Sequence, residues 1–142
     1  MPRMIFVNLP VADLAASKAF YEAIGAVNEP KFTNDQAACM VISDTIFVMI
    51  MTHEKFRQFS PKAIPNAHET AQVLLALSAD SREAVDDMTA RAGSQGVKLD
   101  PCPQQDYGFM YGRSFEDPDG HIWEVMWMDP AAVEGQQDTA AA

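Results

Sequence analysis

The sequence predicts an α+β protein built from two βαβββ modules, and three observations carry that expectation. The order strand, helix, strand, strand, strand reads off residues 4–52 and again off residues 72–128, a repeat of roughly 65 to 70 residues. Each module's helix opens at a capping side chain and closes at a glycine, Gly25 or Gly93. Near the end, Asp117-Pro118-Asp119-Gly120 has the chemistry of a type I turn, and strict period-two alternation follows it.

In the first module, residues 4–11 read as a strand and Asp13 as the N-cap of a helix running to Ile24, stopped by Gly25. Ala16, Phe20 and Ile24 form its apolar stripe. Strands are expected near 27–33, 37–42 and 45–52, the last two joined by Ser43-Asp44. Residues 53–71 are polar and broken by Pro61 and Pro65, which suggests a linker with a short helix.

The second module starts with a strand at 72–78. Asp80 and Glu83 stand at capping-box spacing before the stripe Val85, Met88, Ala92. Three further strands fit near 97–102, 108–116 and 121–128, and residues 131–142 read as a flexible tail. One domain over residues 1–130 is the expectation for a chain of this length.

Composition narrows the function. Of 142 residues, 48% are hydrophobic and 21% charged, and the net charge is -10, which disfavours nucleic acid or an anionic membrane surface as partner. The longest apolar run, Ile46 to Met51, is far too short to cross a bilayer. With Asn8 and Asp13 interrupting any leader-like core, an intracellular, cytoplasmic location is the default expectation. Cys39 and Cys102 lack a CxxC spacing and read as reduced packing residues.

The final strand raises the chemical question. Ile122, Glu124, Met126 and Met128 alternate with Trp123, Val125 and Trp127, so Glu124 sits on an otherwise apolar face. Such a carboxylate costs several kcal/mol unless it is paired, protonated or metal-bound. A structural ion pair and a functional base or ligand both remain open. If Glu116 and His121 flank the turn, Arg113 falls opposite Glu124, and Phe109, Tyr111 and Phe115 share their surface with Met126. This face is either plain core with a neutralising arginine or a ligand cleft with a few convergent polar groups.

Two motifs, Asn8-Leu9-Pro10-Val11-Ala12-Asp13-Leu14 with Phe20-Tyr21, and Phe115-Glu116-Asp117-Pro118-Asp119-Gly120 with Glu124, join the doubled module order. On these the chain resembles the vicinal oxygen chelate superfamily, which includes glyoxalase I, bleomycin-resistance proteins, fosfomycin-resistance enzymes and extradiol dioxygenases. The resemblance covers residues 4–128 and implies a curved mixed β-sheet with a concave ligand cleft. It also implies, in metal-binding members, ligands on the first strand of each half and on the last strand. Here those positions carry Phe6, Val73 and Glu124, with Val48 where some members have a carboxylate. One carboxylate cannot hold Zn²⁺, Fe²⁺ or Mn²⁺, so no metal and no cofactor is expected.

The three histidines offer no substitute: His53 and His68 lie in the linker and His121 is out of phase with Glu124, as expected of surface histidines. The resulting expectation is a homodimer that binds a small organic ligand. Phe6, Asn8, Tyr107, Tyr111 and Met126 would line the cleft, and Arg113 with Glu124 would carry any chemistry. The alternative is a metal-dependent lactoylglutathione lyase-like or extradiol dioxygenase-like enzyme.

Overall fold

A computed structural model describes residues 2–132; most of the tail expected to be flexible, residues 133–142, lies outside the described residues. The chain forms two compact units. One runs to Ala71 and includes the turn Asp117–His121; the other takes Gln72–Glu116 and resumes at Ile122.

In the first unit, β1 (Ile5–Val11) leads into α1 (Leu14–Ala23), followed by β2 (Val27–Glu29), β3 (Ala37–Val41), β4 (Ile46–Thr52) and α2 (His53–Phe59). The sheet order is β1-β4-β3-β2, with β1 parallel to β4 and the other pairs antiparallel. The Asp13 carboxylate accepts the Ala16 N–H at 3.1 Å, capping α1 as expected. Gly25 follows the helix at φ +111°, a left-handed conformation that costs glycine little.

Alternation then divides the sheet into two faces. Leu9, Val11, Ala38, Met40, Val48 and Ile50 are buried, and so are Ser17, Phe20, Tyr21 and Ile24 of the helical layer. Burying each large apolar side chain here contributes about 1.5–3 kcal/mol. Ala16, expected in the stripe, is exposed, because the buried residues fall at the i, i+3, i+4, i+7 spacing that starts at Ser17.

The second unit repeats the topology. Its elements are β5 (Leu75–Ser78), α3 (Arg82–Gly93), β6 (Gln105–Asp106), β7 (Met110–Glu116) and β8 (Ile122–Met128), in sheet order β5-β8-β7-β6 with β5 parallel to β8. Val85, Thr89 and Ala92 of α3 are buried, as are Leu77, Tyr111, Phe115, Trp123 and Val125 of the sheet. Ser81 rather than Asp80 caps α3, its hydroxyl accepting the Ala84 N–H at 3.0 Å. Residues 97–102 make one bridge, Leu99 to Phe115, instead of a strand. Asp100 there has φ +54°, and Pro101 and Pro103 cannot donate to a ladder.

The last hairpin corrects the expected register. Asp117 N–H donates to the His121 carbonyl at 2.9 Å and Gly120 N–H to the Asp117 carbonyl at 3.0 Å, with Gly120 at φ +93°. This is a type I turn followed by a left-handed glycine, the form that adds a bulge residue. Glu116 therefore opposes Ile122, and Arg113 opposes Val125, while Glu124 opposes Ser114. A one-residue shift moves side chains to the other face, so Arg113 and Glu124 do not meet across the strands.

The turn is fastened inside the first unit. Tyr21 O–H donates to Asp117 Oδ2 at 2.7 Å, and Asp117 Oδ1 accepts the Asp119 and His121 N–H groups, each at 2.9 Å. Asp119 accepts the Ala12 N–H at 2.8 Å and the Ser17 hydroxyl at 3.2 Å. Burial pushes the Asp117 carboxyl above its ordinary range, against the lowering effects of His121 and Tyr21.

Candidate functional site

Strand alternation leaves one face of the first sheet open. Asn8 stands beside Met49 and Met49 beside Cys39, with Pro10, Met51 and Ala37 in the next matching row and Phe6, Phe47 and Val41 in the previous one. On this face lies a cleft of about 480 Å³, lined by Asn8, Ala37, Met49, Met51, Lys55, Phe56, Phe59 and Ser60. The last four come from α2 and the residue that ends it. Thr52 caps that helix, its hydroxyl accepting the Lys55 N–H at 3.2 Å. Helical spacing then turns Lys55, Phe56 and Phe59 toward one side.

The cleft's polar groups are few. Asn8 donates one amide N–H to the Phe6 carbonyl at 3.2 Å. The Lys55 ammonium donates to Gln58 Oε1 at 3.3 Å and stands 5.4 Å from the centre of the Phe59 ring. Ser60 Oγ accepts the Lys62 N–H at 3.3 Å. A mostly apolar hollow of this size with a few polar groups is the ordinary form of a small-molecule site.

A second cleft in this unit, about 300 Å³, gathers His53, His68 and His121 with Asp119. His121 Nε2 lies 3.0 Å from the Pro10 carbonyl, and both Asp119 oxygens are engaged as above. Among the described residues, no group of three or more His, Cys, Asp or Glu could hold a metal ion.

In the second unit, the open face carries Glu124, Met126, Ser114, Gly112, Ala76 and Ser78. Glu124 and Met126 border a crevice of only about 10 Å³, also walled by Cys102, Pro103 and Gln105. That is room for about one water molecule. The opposite face, against α3, carries Tyr111 and Arg113. Tyr111 O–H donates to Asp86 at 2.5 Å, and this bond, with burial, raises the phenol's pKa. Arg113 pairs with Asp100 at 2.7 Å and with Asp86 at 3.4 Å. The bond to Arg113 holds the Asp100 carboxyl below its ordinary range, and the same bond raises the guanidinium's pKa further.

Of the residues expected to form the cleft, Asn8 alone lines the 480 Å³ hollow. Phe6 is on the same open face but stacks on Phe47, centroids 4.8 Å apart. Met126 shares its face with Glu124, as expected, whereas Tyr111 and Arg113 lie on the other side of the sheet. Tyr107 is exposed beside Phe109, with ring centroids 6.3 Å apart. Of the metal-ligand positions implied by the resemblance, Val48 is wholly buried on the helix side and Val73 precedes β5. The open-face residue of β4 beside Asn8 is Met49. Phe6, Val48 and Val73 carry no donor atom and Glu124 is one carboxylate, so the residues at these positions do not supply the three or four donors a divalent metal needs.

The short helix expected within residues 53–71 is α2, but the sequence did not show that its Lys55, Phe56 and Phe59 line a cleft. A signal was present: Thr52 at a capping position, then Phe56 three residues and Lys55 four residues before Phe59.

The profile of the glyoxalase/bleomycin resistance protein/dioxygenase superfamily matches residues 3–125. The chain belongs to that superfamily. Among solved structures, a hypothetical protein from S. aureus has a TM-score of 0.74 at 23% identity, covering 89% of this chain and 94% of its own. A glyoxalase/bleomycin resistance protein/dioxygenase family enzyme from Burkholderia phytofirmans gives 0.71 at 21% identity, over 89% of this chain and 99% of its own. The fosfomycin resistance protein of Listeria monocytogenes gives 0.65 at 21% identity, over 89% and 91%. At these identities the likeness is one of fold. No curated protein matches the chain.

Proposed function

We propose that this member of the superfamily binds a small organic ligand in the cleft between the open face of the first sheet and α2, without a metal. One observation carries the reading: the 480 Å³ hollow joins the apolar walls Met49, Met51, Phe56 and Phe59 to the polar groups of Asn8, Lys55 and Ser60. Volume and chemistry both fall in the range of small-molecule sites. The family's metal-dependent reactions need three or four donors, and the donor set described above supports none of them.

Two experiments test this. Protein carrying ¹³C-methyl methionine, titrated with aromatic fragments, should show the Met49 and Met51 methyls shifting together before any other methionine. Shifts confined to Met126 and Met128 would place binding elsewhere. Elemental analysis should find no stoichiometric divalent metal, and lactoylglutathione lyase activity should stay absent on adding Ni²⁺ or Zn²⁺. About one metal per chain, or a metal-stimulated rate, would restore the lyase or dioxygenase reading.

A homodimer is part of the proposal. Met4, Ile5 and Phe6 leave a run of exposed apolar surface on β1, an edge strand, and at its entrance, the kind of surface a second copy covers. Light scattering at micromolar concentration should report twice the chain mass, and a monomer would count against it.

A further inference from the structure

The charge of the cleft is the opposite of the charge of the chain. Its eight lining residues include one cation, Lys55, and no carboxylate, in a protein of net charge -10. The Lys55 ammonium is not neutralised: its hydrogen-bond partner is the amide of Gln58, and among the described residues no carboxylate pairs with it. Its face toward the Phe59 ring is satisfied by the ring's π-electrons, which leave the positive charge in place.

The other polar groups agree with this. Ser60 Oγ already accepts the Lys62 N–H and keeps its own proton to donate. Asn8 spends one amide N–H on the Phe6 carbonyl and has a second. Three donor groups, one of them the Lys55 cation, against two neutral acceptors, Asn8 Oδ1 and the remaining lone pair of Ser60 Oγ, suit a group that carries negative charge and accepts hydrogen bonds. The walls suit a flat apolar body, since methionine thioethers pack well on ring edges and Phe56 and Phe59 supply aromatic surface.

Resting on the reading that this cleft is the binding site, we propose that its ligand is an organic anion: an aromatic or otherwise apolar body bearing one carboxylate or sulfonate, held by Lys55. Binding then follows the charge of the headgroup. A ligand of the same shape without that charge gains the walls but leaves Lys55 unmatched.

Two fluorescent probes of nearly one shape separate these contributions: 1-anilinonaphthalene-8-sulfonate, an anion, and N-phenyl-1-naphthylamine, its neutral counterpart. The wild-type chain should bind the anion more tightly. Lys55→Met should raise the anion's Kd by about tenfold or more, the scale of a hydrogen bond to a charged group, and change the neutral probe's by less than about twofold. Added salt should weaken the anion alone.

Met49→Trp, which fills the hollow, should weaken both probes. Phe59→Ser, at a rim position that is 71% exposed and so harmless to folding, should do the same if the tryptophan variant fails to fold. If Met49→Trp or Phe59→Ser weakens both probes but Lys55→Met affects them equally or not at all, the anion assignment is overturned and the cleft stands. If neither probe binds, or no cleft variant changes either one, the cleft reading itself falls.

Discussion

The two halves have the same order of strands and helix and the same sheet topology, yet among the described residues a ligand-sized hollow stands on the open face of the first and a narrow crevice on that of the second. After β4 the chain turns straight into α2, whose Lys55, Phe56 and Phe59 stand over Asn8, Ala37, Met49 and Met51 and leave about 480 Å³. In the second half, the segment Cys102–Gln105 lies against the corresponding face, and Glu124 and Met126 keep about 10 Å³. A repeated fold therefore does not repeat a site, because the connecting segments decide whether an open sheet face is roofed or filled.

The halves also treat their withdrawn carboxyls differently. Asp117, 1% exposed, accepts from the Tyr21 hydroxyl and two backbone N–H groups, and burial raises its pKa. Asp100, part-buried, faces Arg113 directly, and its pKa is lowered.

The largest effect expected is that of Gly120→Ala. An added Cβ would lie 2.6 Å from the His68 nitrogen and 2.7 Å from the Ala67 carbonyl carbon, at φ +93°. Steric overlap with backbone, added to left-handed strain, should cost about 3 kcal/mol or more. Urea denaturation measures it, and a loss under 1 kcal/mol would mean that the turn does not pack as described.

Next come the carboxyls, whose pH signatures should be opposite. Asp117→Asn puts an amide where Tyr21 O–H and two N–H groups need an acceptor, and should cost about 2–3 kcal/mol. Because its folded pKa is raised, Asp117 contributes most below the unfolded value near 3.8, and that contribution declines as pH rises through the folded pKa. Asp100→Asn should cost about 1–2 kcal/mol at pH 7. Its folded pKa is lowered, so that loss is fully present above about pH 4 and vanishes as pH falls through the folded pKa. Stability curves from pH 2 to 7 check both slopes, and parallel curves would abolish the distinction.

A double-mutant cycle sharpens the register. Arg113→Ala and Asp100→Asn should couple by about 1 kcal/mol, whereas Arg113→Ala and Glu124→Gln should add within about 0.5 kcal/mol. Strong coupling to Glu124 would restore the four-residue turn without the bulge.

The smallest effect concerns Glu124 and the first-half cleft. Glu124→Gln should leave the affinity for the anionic naphthalene probe within about twofold. A larger change in fluorescence titration would tie the carboxylate to ligand binding after all.

Much of this was legible in the chain. Period-two alternation, the cap at Asp13 and the glycine stop at Gly25 placed the first module's elements within a few residues, because those signals act between near neighbours. The α+β class and superfamily followed from the doubled order and the two motifs. The face that Asn8 shares with Phe6 was legible because a face of a strand depends on parity alone.

Tertiary structure decided what parity could not. One left-handed glycine after a type I turn added a residue to the last loop and sent Arg113 to Asp86 and Asp100 instead of Glu124, and nothing in the alternating pattern of either strand records that shift. The prolines and the positive φ of Asp100 dissolved an expected strand over 97–102. The cleft depended on where a seven-residue helix in a polar segment comes to rest. A helix that short has little stability of its own and is fixed by what it packs against, so the sequence could name its residues but not the face they would meet.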